Sequence, residues 1–196
     1  MCIRDSEIYR VEFKSNLNYK KVANDILKIF GRIDYLINNA SKFYPTKIND
    51  VSEKVWLDTI DTNIKAPLFL SKHLFKELKK RKGAIINIID IHVEPPLKDH
   101  IIYNISKAGL LALTRSLAVE LGKHNIRVNA LGSGWYTAEQ VPLEVQQEEL
   151  LVRYTPLRRK GTPDDIGPLL VYLCSEACDY TTGQPVYVDG GLNAHP

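Results

Sequence analysis

Tyr103 and Lys107 are the residues of this sequence whose types and spacing most directly suggest proton chemistry. Four residues make about one helical turn, so on a helix the phenol and the ammonium lie on one face. A nearby cation favours phenolate, and we expect Lys107 to lower the pKa of Tyr103 from about 10 toward the range that a proton donor needs near neutrality. A pair of surface residues is the alternative explanation of the same spacing.

Two other groups of polar residues follow apolar segments. Asp90 stands 13 residues before Tyr103, and Asn38 and Asn39 precede Ala40 and Ser41. Consecutive amides at the end of a strand can tie neighbouring loops together, and a small alanine lets a flat ligand approach the backbone. An asparagine turn and an acid that caps a turn or a helix are the simpler alternatives.

Hydrophobic periodicity predicts the elements that must position these side chains. A capping acid, Asp165, and an N-cap, Thr162, mark the start of the last predicted helix. Glycine follows three of the predicted helices, as it commonly does. We predict strands over 8–13, 33–37, 84–89, 127–131 and 186–188, and helices over Tyr19–Phe30, 63–82, 103–121 and 166–174.

This alternation is typical of an α/β fold of the Rossmann type, in which helices cover both faces of a doubly wound parallel sheet. Such folds bind their ligands at the carboxyl ends of the strands. We therefore expect the functional residues directly after Ile37, Ile89 and Leu131.

The composition is that of an ordinary folded domain. Its 196 residues are 44% hydrophobic and 25% charged, which disfavours disorder and coiled coil and fits one domain over residues 1–196. A net charge of +3 is too small to indicate nucleic acid or an anionic membrane as a partner. Three cysteines form no paired framework, and we expect a cytoplasmic protein without a membrane span or a metal site.

Five signatures occur in an order and spacing that resemble the short-chain dehydrogenase/reductase family. The resemblance implies that Tyr103 is the catalytic acid, that Lys107 binds the nicotinamide ribose, and that Asn63 supports a water that passes protons to Lys107. The five signatures are Asn38-Asn39-Ala40, Asn63, the Tyr103 and Lys107 pair, Arg127-Val128-Asn129-Ala130 leading to Gly134, and Val188-Asp189-Gly190-Gly191.

The same resemblance assigns the cofactor cleft and one wall of the pocket. It implies that Asn38, Ala40, Ser133 and Gly134 line the cofactor cleft. Ser133-Gly134 stands where the family usually has Pro-Gly, and it is followed by Trp135, which we expect to contact the substrate.

Two departures from the commonest family pattern are similar to pteridine reductases. Asp90 stands where most of the family has serine, and Ser41 and Phe43 follow the amides as they do in those enzymes. The resemblance implies that Phe43 stacks on a pterin substrate, that Ser41 binds near the cofactor phosphates, and that Asp90 shares a proton with Tyr103. A core position for Phe43 and a capping role for Asp90 are the alternatives.

The family's phosphate site is a glycine-rich turn after its first strand, whereas the first glycine here is Gly31. We therefore expect an incomplete domain that lacks the first two strands and this loop, with residues 1–6 unrelated to the family. NADPH as cofactor and a homotetramer are implied by the resemblance alone. A short-chain reductase of carbonyl substrates and an inactive fragment are the competing interpretations.

Overall fold

The computed structural model describes residues 6–136 and 145–194. Within them lies a parallel sheet of four strands in the order β1-β2-β3-β4. The strands are β1 (Tyr35–Asn38), β2 (Ala84–Asp90), β3 (Arg127–Ser133) and β4 (Pro185–Val188), and the helices are α1 (Tyr19–Phe30), α2 (Glu53–Ile60), α3 (Ala66–Arg81), α4 (Ile101–Gly122), α5 (Val145–Tyr154) and α6 (Pro163–Cys174).

The core lies on both faces of the sheet. On one face, Leu78 of α3 packs with Ile85 of β2 in a cluster to which α1 and α4 also contribute. On the other face, Leu173 of α6 packs with Ile86 and Leu131. Successive strand residues point to opposite faces, and both faces are covered, so β2 is apolar along most of its length. These layers confirm the predicted α/β fold of the Rossmann type.

The strand predicted over 8–13 is wrong. Residues 6–13 form no regular secondary structure, and Ile8 is 83% exposed. An alternating sequence forms a strand only where its backbone groups and side chains find neighbours in a sheet, and this segment pairs with none of the four strands. Residues 1–5 of the stretch expected to be foreign lie outside the described residues.

The helix-end signals of α1 and α6 are confirmed, whereas Gly122 is the last residue of α4 and Lys82, not Gly83, forms the left-handed cap of α3. Helix α1 has the predicted bounds, begins where the Asn18 side chain accepts a hydrogen bond from the Lys21 N–H, and ends at Gly31 with φ of 70°. Helix α6 begins with the predicted capping box between Thr162 and Asp165. Local chemistry therefore sets these two helices.

The helix predicted over 63–82 begins earlier and is interrupted. Ser52 caps α2 by accepting a hydrogen bond from the Val55 N–H, and α2 runs through a π-helical turn, Asp61–Lys65, into α3. Asn63 therefore lies inside a π turn instead of at a helix start. Such turns occur frequently at functional sites.

The sequence analysis did not predict two of the helices, α2 (Glu53–Ile60) and α5 (Val145–Tyr154).

Across residues 6–136 and 145–194, no helix is both long enough and apolar enough to cross a membrane.

Candidate active site

The carboxyl ends of the strands bring the predicted polar residues to one edge of the sheet. Strand β1 ends at Asn38, β2 at Asp90 and β3 at Ser133. The register places Asn38 beside Asn87, and Asp90 beside Ser133. The parallel topology therefore assembles the site where the sequence placed it.

Asp90 binds both the loop that follows it and the phenol of Tyr103. Its Oδ2 accepts a hydrogen bond of 2.6 Å from the Tyr103 hydroxyl, and its Oδ1 accepts one of 2.8 Å from the backbone N–H of His92. The carboxylate thus caps the short turn that begins at Ile91 and also holds the phenol. The capping alternative is therefore confirmed, and the sharing of a proton between Asp90 and Tyr103 stays a prediction.

Burial decides the pKa of Tyr103. The residue is 5% exposed, and burial followed by the charge and hydrogen bond of Asp90 raises its pKa well above the usual value. The expectation that Lys107 lowers this pKa is wrong in this structure, because the negative carboxylate and the low-dielectric surroundings both favour the neutral phenol. Tyr103 is therefore held in its protonated form and donates its hydroxyl proton to the hydrogen bond with Asp90.

Lys107 lies beside the same phenol, one turn further along α4. Its Nζ is 5.7 Å from the centroid of the Tyr103 ring and donates a hydrogen bond of 2.8 Å to the carbonyl of Ile88. Burial lowers the pKa of Lys107 to about 8, against an opposing effect of Asp90. The amine can therefore lose or hold a proton close to neutrality.

Asn63 joins the loop after β1 to the helix that carries Tyr103. Its amide nitrogen donates to the Lys42 carbonyl over 3.0 Å and to the Ser106 hydroxyl over 2.8 Å, and its Oδ1 accepts from the Lys42 N–H over 2.7 Å. Both amide N–H groups thus have protein partners. The proton-passing water at Asn63 stays a prediction.

Ser106 is a residue of the site that the sequence analysis missed. It is fully buried, accepts from Asn63 and donates a hydrogen bond of 2.7 Å to the backbone carbonyl of Tyr103. Its position one residue before Lys107, on the buried face of α4, was the available signal. Ser106 thereby ties the π turn to the backbone of the catalytic candidate.

Asn38 is buried and acts within a second chain of hydrogen bonds. Its amide donates to the Asn87 side chain over 2.7 Å, and Asn87 donates to the Thr114 hydroxyl over 2.9 Å. This chain connects β1, β2 and α4 beneath the site. Ala40 and Ser41 are exposed in the loop that follows, where a ligand can reach them, and their cofactor roles stay predictions.

Phe43 lies at the site and not in the core. Its ring is 4.7 Å from the Tyr103 ring, edge to face, and 4.6 Å from the His100 ring in a stacked arrangement. Phe43 is 45% exposed, which disagrees with the alternative of a core aromatic. His100 is a second neighbour of the site that the sequence analysis did not identify.

Ser133 and Gly134 follow the same strand end but serve packing as well. Gly134 donates its backbone N–H to the Val188 carbonyl over 3.0 Å, and a Cβ on Gly134 would lie 2.5 Å from the Cα of Asp189. The glycine therefore permits a close approach of two backbones. Its contact with a cofactor stays a prediction, as does that of Ser133.

Trp135 packs against the loop before α6. The Lys160 ammonium lies 5.0 Å from the centroid of its ring, and its carbonyl accepts a hydrogen bond from the Gly161 N–H. The cavity at Trp135 measures about 70 Å³, whereas small-molecule pockets are usually ~300–1,000 Å³. The expected contact between Trp135 and substrate stays a prediction.

Several known proteins resemble this chain. The family model described as enoyl-(acyl carrier protein) reductase matches residues 3–193. Human dehydrogenase/reductase SDR family member 4 is 38% identical over 171 residues, covering 84% of this chain and 61% of that protein. A 2-dehydro-3-deoxy-D-gluconate 5-dehydrogenase from Formosa agariphila is 34% identical over 169 residues, covering 84% of this chain and 64% of the relative.

A solved structure agrees with this assignment. An apo SCOR enzyme from Clostridium thermocellum superposes with a TM-score of 0.85 at 29% identity, covering 96% of this chain and 74% of that one. The chain spans less than two thirds of the length of the two curated relatives. Because the family model covers nearly all of its residues, the chain belongs to the short-chain dehydrogenase/reductase family.

Proposed function

We propose that this chain carries the catalytic site of an NAD(P)H-dependent oxidoreductase, and that its substrate is a pterin of the dihydrobiopterin or dihydrofolate kind. The hydrogen bond between Tyr103 and Asp90 carries the proposal. Reduction of a pterin places a proton on a ring nitrogen beside the carbon that is reduced. Tyr103 stays protonated at neutral pH and so holds a proton for that nitrogen, although its raised pKa makes it a weaker acid than a free phenol.

Each side chain has one task in this proposal. Tyr103 donates the proton, and Asp90 fixes the orientation of the phenol and shares the proton. Lys107, whose pKa of about 8 lies close to neutral pH, replaces the proton that Tyr103 gives up. Phe43 offers an aromatic surface against which a flat heterocycle packs, and its ring already lies within 4.7 Å of the Tyr103 ring.

The donors of the site suit the nicotinamide ribose of NADPH. Lys107 is 4% exposed and gives one hydrogen bond, to Ile88, in the described part of the chain, while an ammonium has three donors. Its remaining donors can hold ribose hydroxyls, with Tyr103 as neighbour, and Ala40 and Ser41 are exposed in the loop after β1. The cofactor, when bound, supplies a hydride, and the preference for NADPH rests on the likeness to pteridine reductases.

Substitutions at Asp90 and Phe43 test the substrate. Phe43→Ala is expected to weaken pterin binding by roughly 1–3 kcal/mol, as stacking on a base does, while thermal stability is retained. Asp90→Ser introduces the residue commoner in the family and is expected to shift kcat/KM from pterins toward carbonyl substrates. A Phe43→Ala variant with unchanged pterin affinity, or an Asp90→Ser variant with unchanged preference, would contradict the pterin assignment.

Reduction of carbonyl groups is the second candidate. Ser133 lies beside Asp90 in the sheet register, and its hydroxyl makes a long hydrogen bond of 3.5 Å to the Ile89 carbonyl, so we propose that it can donate to a carbonyl oxygen instead. The Formosa agariphila relative is named for a dehydrogenase of a sugar acid. Ser133→Ala tests this candidate, because it is expected to impair carbonyl reduction more than pterin turnover.

We propose that the chain assembles as a homotetramer. The groove between α3 and α4 has an apolar floor that includes Leu68 and Phe75, and its rim carries both Lys72 and Glu120. A rim with both signs of charge can pair with itself across a two-fold axis. Sedimentation of the chain and of the Glu120→Lys variant tests the assembly.

We propose the cytoplasm as the location of the protein. The free Cys174 and Cys178 suit the reducing conditions there.

A further inference from the structure

His100 stacks on the aromatic residue of the site. Its imidazole centroid lies 4.6 Å from that of Phe43, and the two planes differ by 20°. The same Phe43 ring meets Tyr103 nearly at a right angle, at 88° and 4.7 Å. Three rings from two segments of the chain therefore lie in a row in space, with Phe43 between His100 and the proposed proton donor, Tyr103.

Two contacts hold His100 in place, one through its backbone and one through its imidazole ring. Residues Thr46 and His100 form a parallel bridge, in which the Ile101 N–H donates to the Thr46 carbonyl over 3.3 Å. The Nδ1 atom of His100 lies 2.7 Å from the carbonyl of Lys98. Because a carbonyl only accepts hydrogen bonds, Nδ1 carries a proton in this contact. The imidazole thus has a defined tautomer and a defined orientation.

The backbone next to Phe43 is tied to Asn63 through Lys42, whereas the Phe43 ring itself is held by its contacts with His100 and Tyr103. Phe43 lies in a loop without regular secondary structure and is 45% exposed. A phenylalanine in such a loop ordinarily rotates among several side-chain rotamers. The stack on a fixed imidazole covers one face of the ring and restrains it, while much of the residue remains open to solvent.

We infer that His100 is a positioning residue, which holds the Phe43 ring at the orientation required to receive a flat substrate beside Tyr103. The identity of that substrate rests on the proposed function, whereas the restraint of the Phe43 ring by His100 does not depend on it. The imidazole acts through its flat ring and not through a nitrogen atom that contacts the substrate. A flat hydrocarbon ring at this position therefore suffices.

Two substitutions at His100 and one elsewhere form the test. His100→Ala removes the ring, and His100→Phe keeps a flat ring but removes both nitrogen atoms. His124→Ala is the matched control, because His124 meets Phe75 at 5.1 Å and 69° between α3 and α4, away from the site. The first measurement is the nuclear Overhauser contact between the Phe43 and Tyr103 rings, and the second is the affinity for dihydrobiopterin.

We expect His100→Ala to lose the ring contact and to weaken dihydrobiopterin binding by about two- to tenfold, the size of an aromatic pair. His100→Phe is expected to retain both, and His124→Ala to change neither. Equal losses in His100→Phe and His100→Ala would overturn the inference, since a nitrogen atom would then be required. Retention of the ring contact in His100→Ala would also overturn it.

The ring contact separates this inference from the proposed function. If the unaltered chain binds no pterin, the pterin assignment fails, while loss of the ring contact in His100→Ala alone still supports the positioning role. If the chain binds dihydrobiopterin and His100→Ala leaves the affinity and the ring contact unchanged, the pterin assignment stands and the role of His100 is wrong.

Discussion

The Tyr103 hydroxyl and the Asp90 carboxylate are joined by a hydrogen bond of 2.6 Å at the carboxyl edge of the sheet. The contact links the end of β2 to the first turns of α4. It also gives the carboxylate two duties, because the second oxygen receives the His92 N–H. A change at Asp90 therefore affects both the chemistry of the phenol and the loop.

The first prediction concerns the ionisation of Tyr103. Asp90→Asn removes the negative charge that adds to the effect of burial, so the pKa of Tyr103 is expected to fall while it remains above the ordinary value. Ultraviolet absorbance of the phenolate above pH ~10 measures the titration. Subtraction of the Tyr103→Phe titration identifies the signal. An unchanged titration in Asp90→Asn would show that the carboxylate does not influence the phenol.

The second prediction concerns turnover. General acids contribute about 10² to 10⁴-fold, and Tyr103→Phe is expected to reduce kcat by a factor in that range with little effect on cofactor affinity. Residues that act as one unit are non-additive, so Asp90→Asn combined with Tyr103→Phe is expected to be little slower than Tyr103→Phe alone. Multiplied losses in the double variant would mean that the two groups act separately.

The third prediction uses the lowered pKa of Lys107, which changes from 10.5 to about 8 on folding. Below pH 8 both states hold the proton, and the folded state carries the full cost of the buried charge. Between pH 8 and 10.5 the unfolded state alone holds it, so stability rises with pH through this window. The change amounts to roughly 3 kcal/mol.

Lys107→Met tests this sign. The variant has no buried charge, so its stability relative to the parent is expected to be greatest near neutrality and to decline toward pH 10.5, the unfolded-state value. Urea unfolding of both proteins at several pH values gives the difference. Tyr103 titrates in both proteins, and its effect is therefore largely removed by the subtraction. A difference that is independent of pH would contradict the lowered pKa.

The fourth prediction concerns the hydrogen bonds of Asn63. Asn63→Ala removes the links to Lys42 and Ser106, and at about 0.5–1.5 kcal/mol per bond the expected loss of stability is about 2–4 kcal/mol. Ser116→Ala is the control, because Ser116 is an exposed residue of α4 that bonds a backbone carbonyl. Equal unfolding midpoints for the two variants would show that the Asn63 links contribute little.

The fifth prediction compares two glycines. Gly134→Ala places a Cβ 2.5 Å from the Cα of Asp189, so a backbone must shift, and we expect a loss of about 1–3 kcal/mol. Gly122→Ala meets nothing within 4 Å at the last residue of α4 and is expected to be neutral or stabilising by up to about 1 kcal/mol. Thermal unfolding of both variants measures the contrast.

Local signals in the sequence were sufficient for several elements. Helical spacing and Gly31 define α1, and the Thr162 and Asp165 pair defines the start of α6. Asn38 and Asp90 are the last residues of their strands, and a parallel topology brings the ends of those strands to one edge of the sheet. These features depend either on residues close in sequence or on the fold class, and both can be predicted from the sequence.

Other features depend on tertiary packing and could not be predicted in this way. The alternation at 8–13 resembles a strand, but strand formation needs a partner that the sequence pattern does not identify. The π turn around Asn63 depends on contacts with Lys42 and Ser106, which are distant in sequence. The pKa of Tyr103 is raised by burial and then by Asp90, and neither effect can be read from the spacing of Tyr103 and Lys107.

Strand β1 forms one rim of the sheet and pairs with β2 alone among the described residues. Tyr35 and Ile37 of this strand are each more than two fifths exposed, so the rim offers both free backbone groups and apolar side chains. Such a rim can accept a strand from another chain and seed aggregation. At high concentration we therefore expect this edge, Tyr35–Asn38, to be a site at which molecules of the protein associate.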